Sequence, residues 1–101
     1  MLKKIVITGG DGRFAQILKK DNKKLNILYP SKKELNVLNI NSINKYLKKN
    51  KPKYLIHAAA LSRPMSIHEK QISKSIDLNI IGTANIVKVC SNLKIKLIYF
   101  S

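Results

Sequence analysis

The chain has 101 residues, of which 45% are hydrophobic and 25% are charged, and this composition fits one small globular domain rather than a disordered segment or a membrane-spanning protein. The formal net charge is +15, which points to an anionic partner such as nucleic acid. The excess consists of 18 lysines against 2 arginines, however, and proteins that recognise nucleic acid favour the planar guanidinium of arginine, so the composition disfavours a nucleic-acid partner.

The cysteine content and the N-terminal sequence indicate the cellular compartment of the protein. Cys90 is the single cysteine, so an intrachain disulfide is excluded, and no cysteine and histidine cluster has the spacing of zinc ligands. The apolar run Ile5-Val6-Ile7 is too short for a signal peptide or a membrane helix. We therefore expect a cytoplasmic protein without a membrane partner or a metal site.

The first half of the chain alternates short apolar runs with helical patterns. Ile5 to Thr8 predicts a buried strand, and Arg13 to Lys20 predicts a helix with Phe14, Ile17 and Leu18 on one face. A second strand is predicted from Leu25 to Tyr29. Asn41 or Ser42 is then expected to cap a helix that ends at Lys51-Pro52.

The second half repeats this pattern. It predicts a strand from Tyr54 to Ala58, a long helix from about Ile67 to Asn92 and a fourth strand from Lys96 to Ser101. The long helix is expected to bury one stripe of side chains, which comprises Ile72, Ile76, Ile80, Thr83, Val87 and Cys90.

This alternation is typical of an α/β fold with a parallel sheet. We predict a Rossmann-type, doubly wound sheet of four βα units that is truncated after its fourth strand. The expected spatial order of the strands is 3-2-1-4, with the switch point between the first and fourth strands. All 101 residues are assigned to one domain.

The turn after the first strand has the pattern of a dinucleotide-binding loop. Gly9, Gly12 and Ala15 form G-x-x-G-x-x-A between strand and helix. Gly9 permits a sharp turn, Gly12 permits close approach of a pyrophosphate, and Ala15 permits close packing of helix on strand. The alternative is a tight turn that binds no ligand.

Three residues beside these glycines complete the candidate phosphate site. The backbone N–H groups from Gly12 to Phe14 are expected to point at the phosphates, and the Arg13 side chain can add a contact. Asp11 lies within the same turn and is included among the cofactor-binding candidates.

Five segments in this order resemble the extended short-chain dehydrogenase/reductase family, and within it the sugar-nucleotide reductases and epimerases, most of all the dTDP-4-dehydrorhamnose reductases. The segments are Thr8-Gly9-Gly10-Asp11-Gly12, Glu34-Leu35-Asn36-Val37, Leu55-Ile56-His57-Ala58-Ala59-Ala60, Asn79-Ile80-Ile81-Gly82-Thr83-Ala84-Asn85 and Leu97-Ile98-Tyr99-Phe100-Ser101. The resemblance implies that the chain is the N-terminal, NAD(P)-binding portion of such an enzyme.

The resemblance also implies roles for individual residues. Asn36 and Val37 match the positions that hold the adenine, with Asn in place of the usual Asp. The small residues Ala58, Ala59 and Ala60 match the segment that lines the cofactor, or else they serve close packing of strand on helix. Asn79 matches a residue that supports the cofactor loop.

Two further positions are interpreted as structural. His57 is expected to be a hydrogen-bonded core residue rather than a catalyst, and Gly82 is expected to permit the close approach of a neighbouring element.

Cofactor choice depends on the end of the second strand. No acidic residue is present at Tyr29, Pro30 or Ser31, where it would bind the ribose hydroxyls of NAD, and Lys32 follows. A cation at this position favours the extra phosphate of NADP, so NADPH is preferred over NADH.

Members of this family transfer hydride with a Tyr-x-x-x-Lys pair and a Ser or Thr just past the fourth strand, and this chain has no such pair there. We therefore expect a cofactor-binding portion without catalytic residues, whose parent acts on a keto-sugar nucleotide and whose substrate domain is absent. The alternatives are a fragment of an NAD-dependent epimerase or dehydratase, and a non-catalytic basic module that binds anionic polymers.

The resemblance also implies a homodimer through the long helix, although Lys70, Lys74 and Lys88 disfavour an apolar interface there.

Overall fold

The computed structural model describes residues 3–9, 13–21, 25–58 and 80–99. Within these ranges the chain alternates strands with helices, as predicted. The strands are β1 (Lys4–Thr8), β2 (Asn26–Leu28), β3 (Tyr54–His57) and β4 (Lys96–Tyr99), and the helices are α1 (Arg13–Asp21), α2 (Ile40–Asn50) and α3 (Gly82–Leu93).

The four strands form one parallel sheet in the order β2-β1-β3-β4. The Rossmann-like, doubly wound class is therefore confirmed, but the predicted order 3-2-1-4 is wrong. In register, Thr8 at the end of β1 lies opposite His57 at the end of β3. The switch point accordingly lies between β1 and β3, not between the first and fourth strands.

The handedness of the crossovers explains the observed order. A right-handed connection that places its helix on one face of the sheet moves the chain in one direction, and a helix on the other face reverses that direction. The α1 residue Ala15 packs with Ile7 of β1, whereas the α2 residue Ile43 packs with Val6 on the opposite face. The chain must therefore pass back over β1 after β2, and it places β3 on the far side of β1.

The larger apolar core lies on the face that α2 and α3 cover. Its buried members are Val6, Leu35, Val37, Ile43, Leu47, Leu55, Ile86, Val89, Cys90 and Ile95. A smaller cluster lies under α1 and consists of Ile7, Ala15 and Ala58, with Leu18 and Tyr29 among the half-buried residues around it. Ile17 was predicted to share the inner face of α1, but it is exposed.

The cap of α2 differs from the prediction by two or three residues. Asn39, rather than Asn41 or Ser42, is the cap, and its Oδ1 accepts hydrogen bonds from the backbone N–H groups of Asn41 at 3.0 Å and Ser42 at 3.3 Å. The helix ends at Asn50, and Lys51 follows it with a left-handed φ of 48°.

The buried stripe of α3 is confirmed at Cys90 but differs from the prediction at Ile80 and Val87. Ile80 and Val87 are 64% and 47% exposed, and the buried side chains are those of Ile86, Val89 and Cys90. The backbone at Ile80 and Ile81 has π-helical hydrogen bonding, and this wide turn rotates the following residues out of a simple helical repeat. The predicted positions Ile72 and Ile76 lie outside the described residues.

Candidate functional site

Gly9, where the chain leaves β1, has the backbone conformation that the glycine pattern predicts. Gly9 follows the strand with φ of 73°, a left-handed conformation that glycine adopts without the steric cost of a Cβ. Helix α1 then begins at Arg13, with no acidic residue in its first turn. The positive end of the helix dipole therefore lies beyond the carboxyl end of β1, where it favours an anion.

Small residues bring α1 and β3 close to β1 at this point. Ala15 has no exposed surface, Ala58 is 3% exposed, and both belong to one cluster with Ile7. The predicted role of Ala15 in close packing of helix on strand is thus confirmed. Gly9 and Ala58 follow adjacent strands in register, so the structure places two of the predicted cofactor contacts next to each other.

Several predicted contacts lie outside the described residues. These are Asp11, Gly12, Ala59, Ala60 and Asn79, together with the side chains of Arg13 and Phe14. Their roles at the cofactor remain predictions.

A buried histidine connects β1, β3 and α3 at the carboxyl ends of the two strands. We call the space beyond these strand ends the cofactor crevice. The Thr8 Oγ1 atom lies 2.8 Å from Nδ1 of His57, and Oγ1 of Thr83 on α3 lies 3.0 Å from Nε2 of the same ring. Thr8 Oγ1 also accepts a hydrogen bond from the backbone N–H of Ala58 at 3.0 Å. The network therefore fixes the carboxyl ends of β1 and β3 to the first turn of α3.

The surroundings of His57 favour the neutral imidazole. It is 1% exposed, and burial lowers the pKa of the ring below its ordinary value because the cation would lose its hydration. Each ring nitrogen faces a hydroxyl group that can donate or accept, so a neutral ring is hydrogen-bonded at both nitrogens in either tautomer. The interpretation of His57 as a core residue agrees with this geometry.

The lowered pKa of His57 predicts a loss of stability in mild acid. The unfolded ring titrates near 6.5 and the folded ring at lower pH, so between these values the unfolded state binds more protons. The contribution of this group is fully present above about pH 6.5 and is lost as the pH falls toward the folded pKa, with a slope of up to about 1.4 kcal/mol per pH unit. Urea unfolding of the wild type and of His57→Gln between pH 7.5 and 5 measures it. The variant should show a weaker pH dependence, and equal slopes would contradict the prediction.

Asn36 organises the segment between β2 and α2 through its backbone and its side chain. Its N–H donates to Oγ of Ser42 at 2.9 Å, and its Oδ1 accepts from the N–H of Leu38 at 3.0 Å. The side-chain hydrogen bond closes a local Asx turn. Asn36 is half-buried and lies in the loop between β2 and α2 rather than in a strand.

Val37 is anchored to α3. Its carbonyl accepts a hydrogen bond from Nδ2 of Asn85 at 3.0 Å, and its side chain is 6% exposed. A Cβ placed on Gly82 would lie 2.9 Å from Cγ2 of Val37, which is closer than carbon atoms can pack. The prediction that Gly82 permits a close approach is confirmed, and the neighbouring element is the Asn36–Val37 segment.

Lys32 lies in an exposed turn after β2. The turn is closed by a reciprocal pair, in which Ser31 N–H donates to Oε1 of Glu34 at 2.9 Å and Glu34 N–H donates to Oγ of Ser31 at 3.2 Å. The hydrogen bonds from Ser31 lower the pKa of the Glu34 carboxyl. The Glu34 carboxylate is therefore hydrogen-bonded within the turn, whereas the exposed Lys32 can contact an anion at the carboxyl end of β2.

Sequence reasoning missed the hydroxyl and amide groups that support the site. These are Thr8 and Thr83 on either side of His57, Ser42 behind Asn36, and Asn85 behind Val37. Thr8 and Thr83 do fall within the quoted segments, but nothing in the sequence shows that residues 49 and 26 positions from His57 meet its two ring nitrogens.

Residues 3–9, 13–21, 25–58 and 80–99 contain no group of three or more His, Cys, Asp or Glu side chains that could hold a metal ion. No helix in the same ranges is long and apolar enough to cross a membrane.

Comparison with known proteins identifies the family. The family model described as the RmlD substrate binding domain matches residues 3–101, which is nearly the whole chain. The chain belongs to the RmlD family. No curated protein matches it.

Solved structures with the same fold agree with this RmlD assignment. A dTDP-4-dehydrorhamnose reductase from Bacillus anthracis str. Ames, in complex with NADP, is 24% identical over 100% of this chain with a TM-score of 0.83. A GDP-L-fucose synthetase from Naegleria fowleri, bound to NADP, is 25% identical over 96% of this chain with a TM-score of 0.75. A dTDP-4-dehydrorhamnose reductase from Yersinia enterocolitica is 21% identical over 98% of this chain with a TM-score of 0.75.

The RmlD-family chain spans only about a third of these proteins, covering 36%, 30% and 35% of their respective lengths. It is homologous to the NAD(P)-binding portion of sugar-nucleotide reductases and epimerases.

Proposed function

We propose that this chain is the NAD(P)-binding portion of a sugar-nucleotide oxidoreductase of the dTDP-4-dehydrorhamnose reductase type. The observation that carries the proposal is the left-handed Gly9 between β1 and α1, together with the packing of the small residues Ala15 and Ala58 on Ile7 of β1. Such a turn lets a backbone cradle a pyrophosphate at a helix N-terminus. Membership of the RmlD family supports the same conclusion.

The residues of the crevice fit a dinucleotide. The N-terminal turn of α1 would hold the pyrophosphate, and Ala58 would leave room for the ribose across the end of β3 because its side chain is small. Asn36 and Val37, fixed by Ser42 and Asn85, would border the adenine. When bound, the nicotinamide ring supplies a hydride for reduction of a keto-sugar nucleotide.

NADP is the proposed cofactor. Lys32 lies exposed after β2, at the strand end where the adenosine ribose of a dinucleotide sits in this fold. A lysine there stabilises a ribose phosphate, whereas NAD recognition uses a carboxylate. Two of the structurally similar proteins were solved with NADP, which supports this choice.

The proton-transfer step is assigned to residues that these 101 positions do not include. Tyr29 and Lys33 have the Tyr-x-x-x-Lys spacing, but Tyr29 packs against the cluster of Ile7 and Ala15, and burial raises the pKa of its phenol. A tyrosine that acts as a proton donor beside a lysine needs a lowered pKa. The proposed role of this chain is therefore to bind and orient the cofactor.

NADPH binding to the purified chain tests the proposal. Titration followed by NADPH fluorescence should show saturable binding, and Gly12→Val should weaken it by at least about a hundredfold, because the branched side chain would occupy the place of the pyrophosphate. Ala84→Val is the matched control, since Ala84 is exposed on α3 and lies on a different element. Absence of binding to the wild type, or undiminished affinity in Gly12→Val, would overturn the proposed site.

A further inference from the structure

A groove lies at the end of the sheet opposite to the cofactor crevice. It has a volume of about 340 Å³ and is lined by Leu47, Lys48, Lys51, Pro52, Leu93 and Ile95. The apolar floor comes from the C-terminal turns of α2 and α3 and from the residues that precede β3 and β4. The two lysines lie on α2 or just after it, and both are exposed.

Two further exposed lysines, Lys53 and Lys94, adjoin this groove. Lys94 stands between two groove residues, Leu93 and Ile95. The backbone N–H of Lys53 donates to the carbonyl of Lys4 at 2.9 Å, and that of Lys96 donates to the carbonyl of Lys53 at 3.1 Å, so the beginnings of β1, β3 and β4 lie side by side. We call the cavity together with the exposed residues Lys48, Lys51, Lys53 and Lys94 the basic groove.

The described carboxylates do not neutralise the basic groove. Among the described residues the acidic side chains are those of Asp21 and Glu34. Asp21 ends α1, which packs on the other face of the sheet from α2 and α3. Glu34 is hydrogen-bonded to Ser31, and the lysine that affects its pKa is Lys49, which is not part of the groove.

Helix dipoles explain only part of this arrangement. Lysines near a helix C-terminus compensate its negative end, and Lys48, Lys51 and Lys94 have such positions. Lys53 follows the groove residue Pro52 and precedes β3 instead, so the dipole gives no reason for its position.

We propose that the basic groove docks an acidic, amphipathic segment of a partner protein. An apolar side chain of the segment would fill the floor formed by Leu47, Pro52 and Leu93, and its carboxylates would face the lysines. Nucleic acid fits less well, because the groove lining has neither the arginines nor the aromatic rings that stack with bases.

The test is fluorescence anisotropy with a labelled twelve-residue helical peptide that carries leucines on one face and glutamates on the other. At low salt the wild-type chain should bind this peptide, and Lys48→Glu/Lys53→Glu should weaken binding by about tenfold or more. The control Lys20→Glu/Lys33→Glu makes the same change in net charge at exposed positions on α1 and in the turn after β2. A peptide with serine in place of leucine should also bind more weakly, because it cannot fill the apolar floor.

Each contrary outcome overturns the proposal. Failure to bind at low salt excludes the docking site. Equal weakening in the control variant would show attraction to net charge alone, and equal binding of the serine peptide would exclude the apolar floor. An oligothymidylate that binds more tightly than the peptide, and is weakened by the same groove substitutions, would identify the surface as a nucleic-acid site. Thermal unfolding monitored by circular dichroism verifies that both variants are folded.

Discussion

Replacing Thr8 by valine is expected to lower the free energy of unfolding by about 3 kcal/mol. Valine keeps the shape of threonine and removes only the hydroxyl, which lies 2.8 Å from Nδ1 of His57 and accepts the N–H of Ala58 at 3.0 Å. Thr8 and His57 are 2% and 1% exposed, so bulk water does not reach the groups that lose this partner. Each buried polar group deprived of a hydrogen bond costs about 1 to 3 kcal/mol, and two groups are affected.

Urea unfolding at pH 7.5 measures this loss, and Thr8→Ser is the matched control. Serine retains the hydroxyl and removes one buried methyl group, which costs about 1 kcal/mol. Valine should therefore be clearly worse than serine, although valine is the more apolar residue and has the higher preference for strands. A valine variant as stable as the serine variant would show that the hydroxyl does not support the network.

Replacing Gly82 by alanine is expected to cost about 1 to 2 kcal/mol, although alanine favours a helix over glycine by up to about 1 kcal/mol. The added Cβ would lie 2.9 Å from Cγ2 and 3.3 Å from Cβ of Val37, and Val37 is itself buried and tied to Asn85. Overpacking of this kind forces side chains from their rotamers or moves the backbone. The steric cost therefore exceeds the gain in helix preference.

A double-mutant cycle with Val37→Ala tests this explanation. Shortening Val37 removes Cγ2, so Gly82→Ala should cost less, or even stabilise, in the Val37→Ala background. Urea unfolding of the four proteins gives the coupling energy, which we expect to be at least about 1 kcal/mol. Additive effects would show that the contact with Val37 is not the source of the cost.

The elements of this fold could be predicted because their signals are local. Short apolar runs predicted all four strands to within one or two residues over the described part of the chain, and glycine or proline lies next to the first three of them. The glycine turn predicted the start of α1 at Arg13. Three polar residues close together, Asn39, Asn41 and Ser42, could each cap α2, and only the backbone geometry separates them.

The features that were predicted wrongly depend on longer-range geometry. Strand order follows from the face on which each helix packs, which the apolar pattern of α2 does not specify. The stripe of α3 buries Ile86 and Val89 rather than Ile80 and Val87, and no residue at Ile80 or Ile81 signals the π turn found there. The hydrogen-bond partners of His57 are likewise distant in sequence. A single histidine at a strand end indicated a core residue, but the sequence did not identify Thr8 and Thr83 as its partners.

The central place of β1 has a consequence for the order in which the fold can assemble. Strand β1 pairs on one side with β2, about twenty residues later, and on its other side with β3, about fifty residues later. Because the second pairing closes a long loop, it must pay a larger entropic cost before any contact forms. A nascent chain that ends before β3 would therefore hold β1 with one edge unpaired, and the histidine network would form only after α3 had been synthesised.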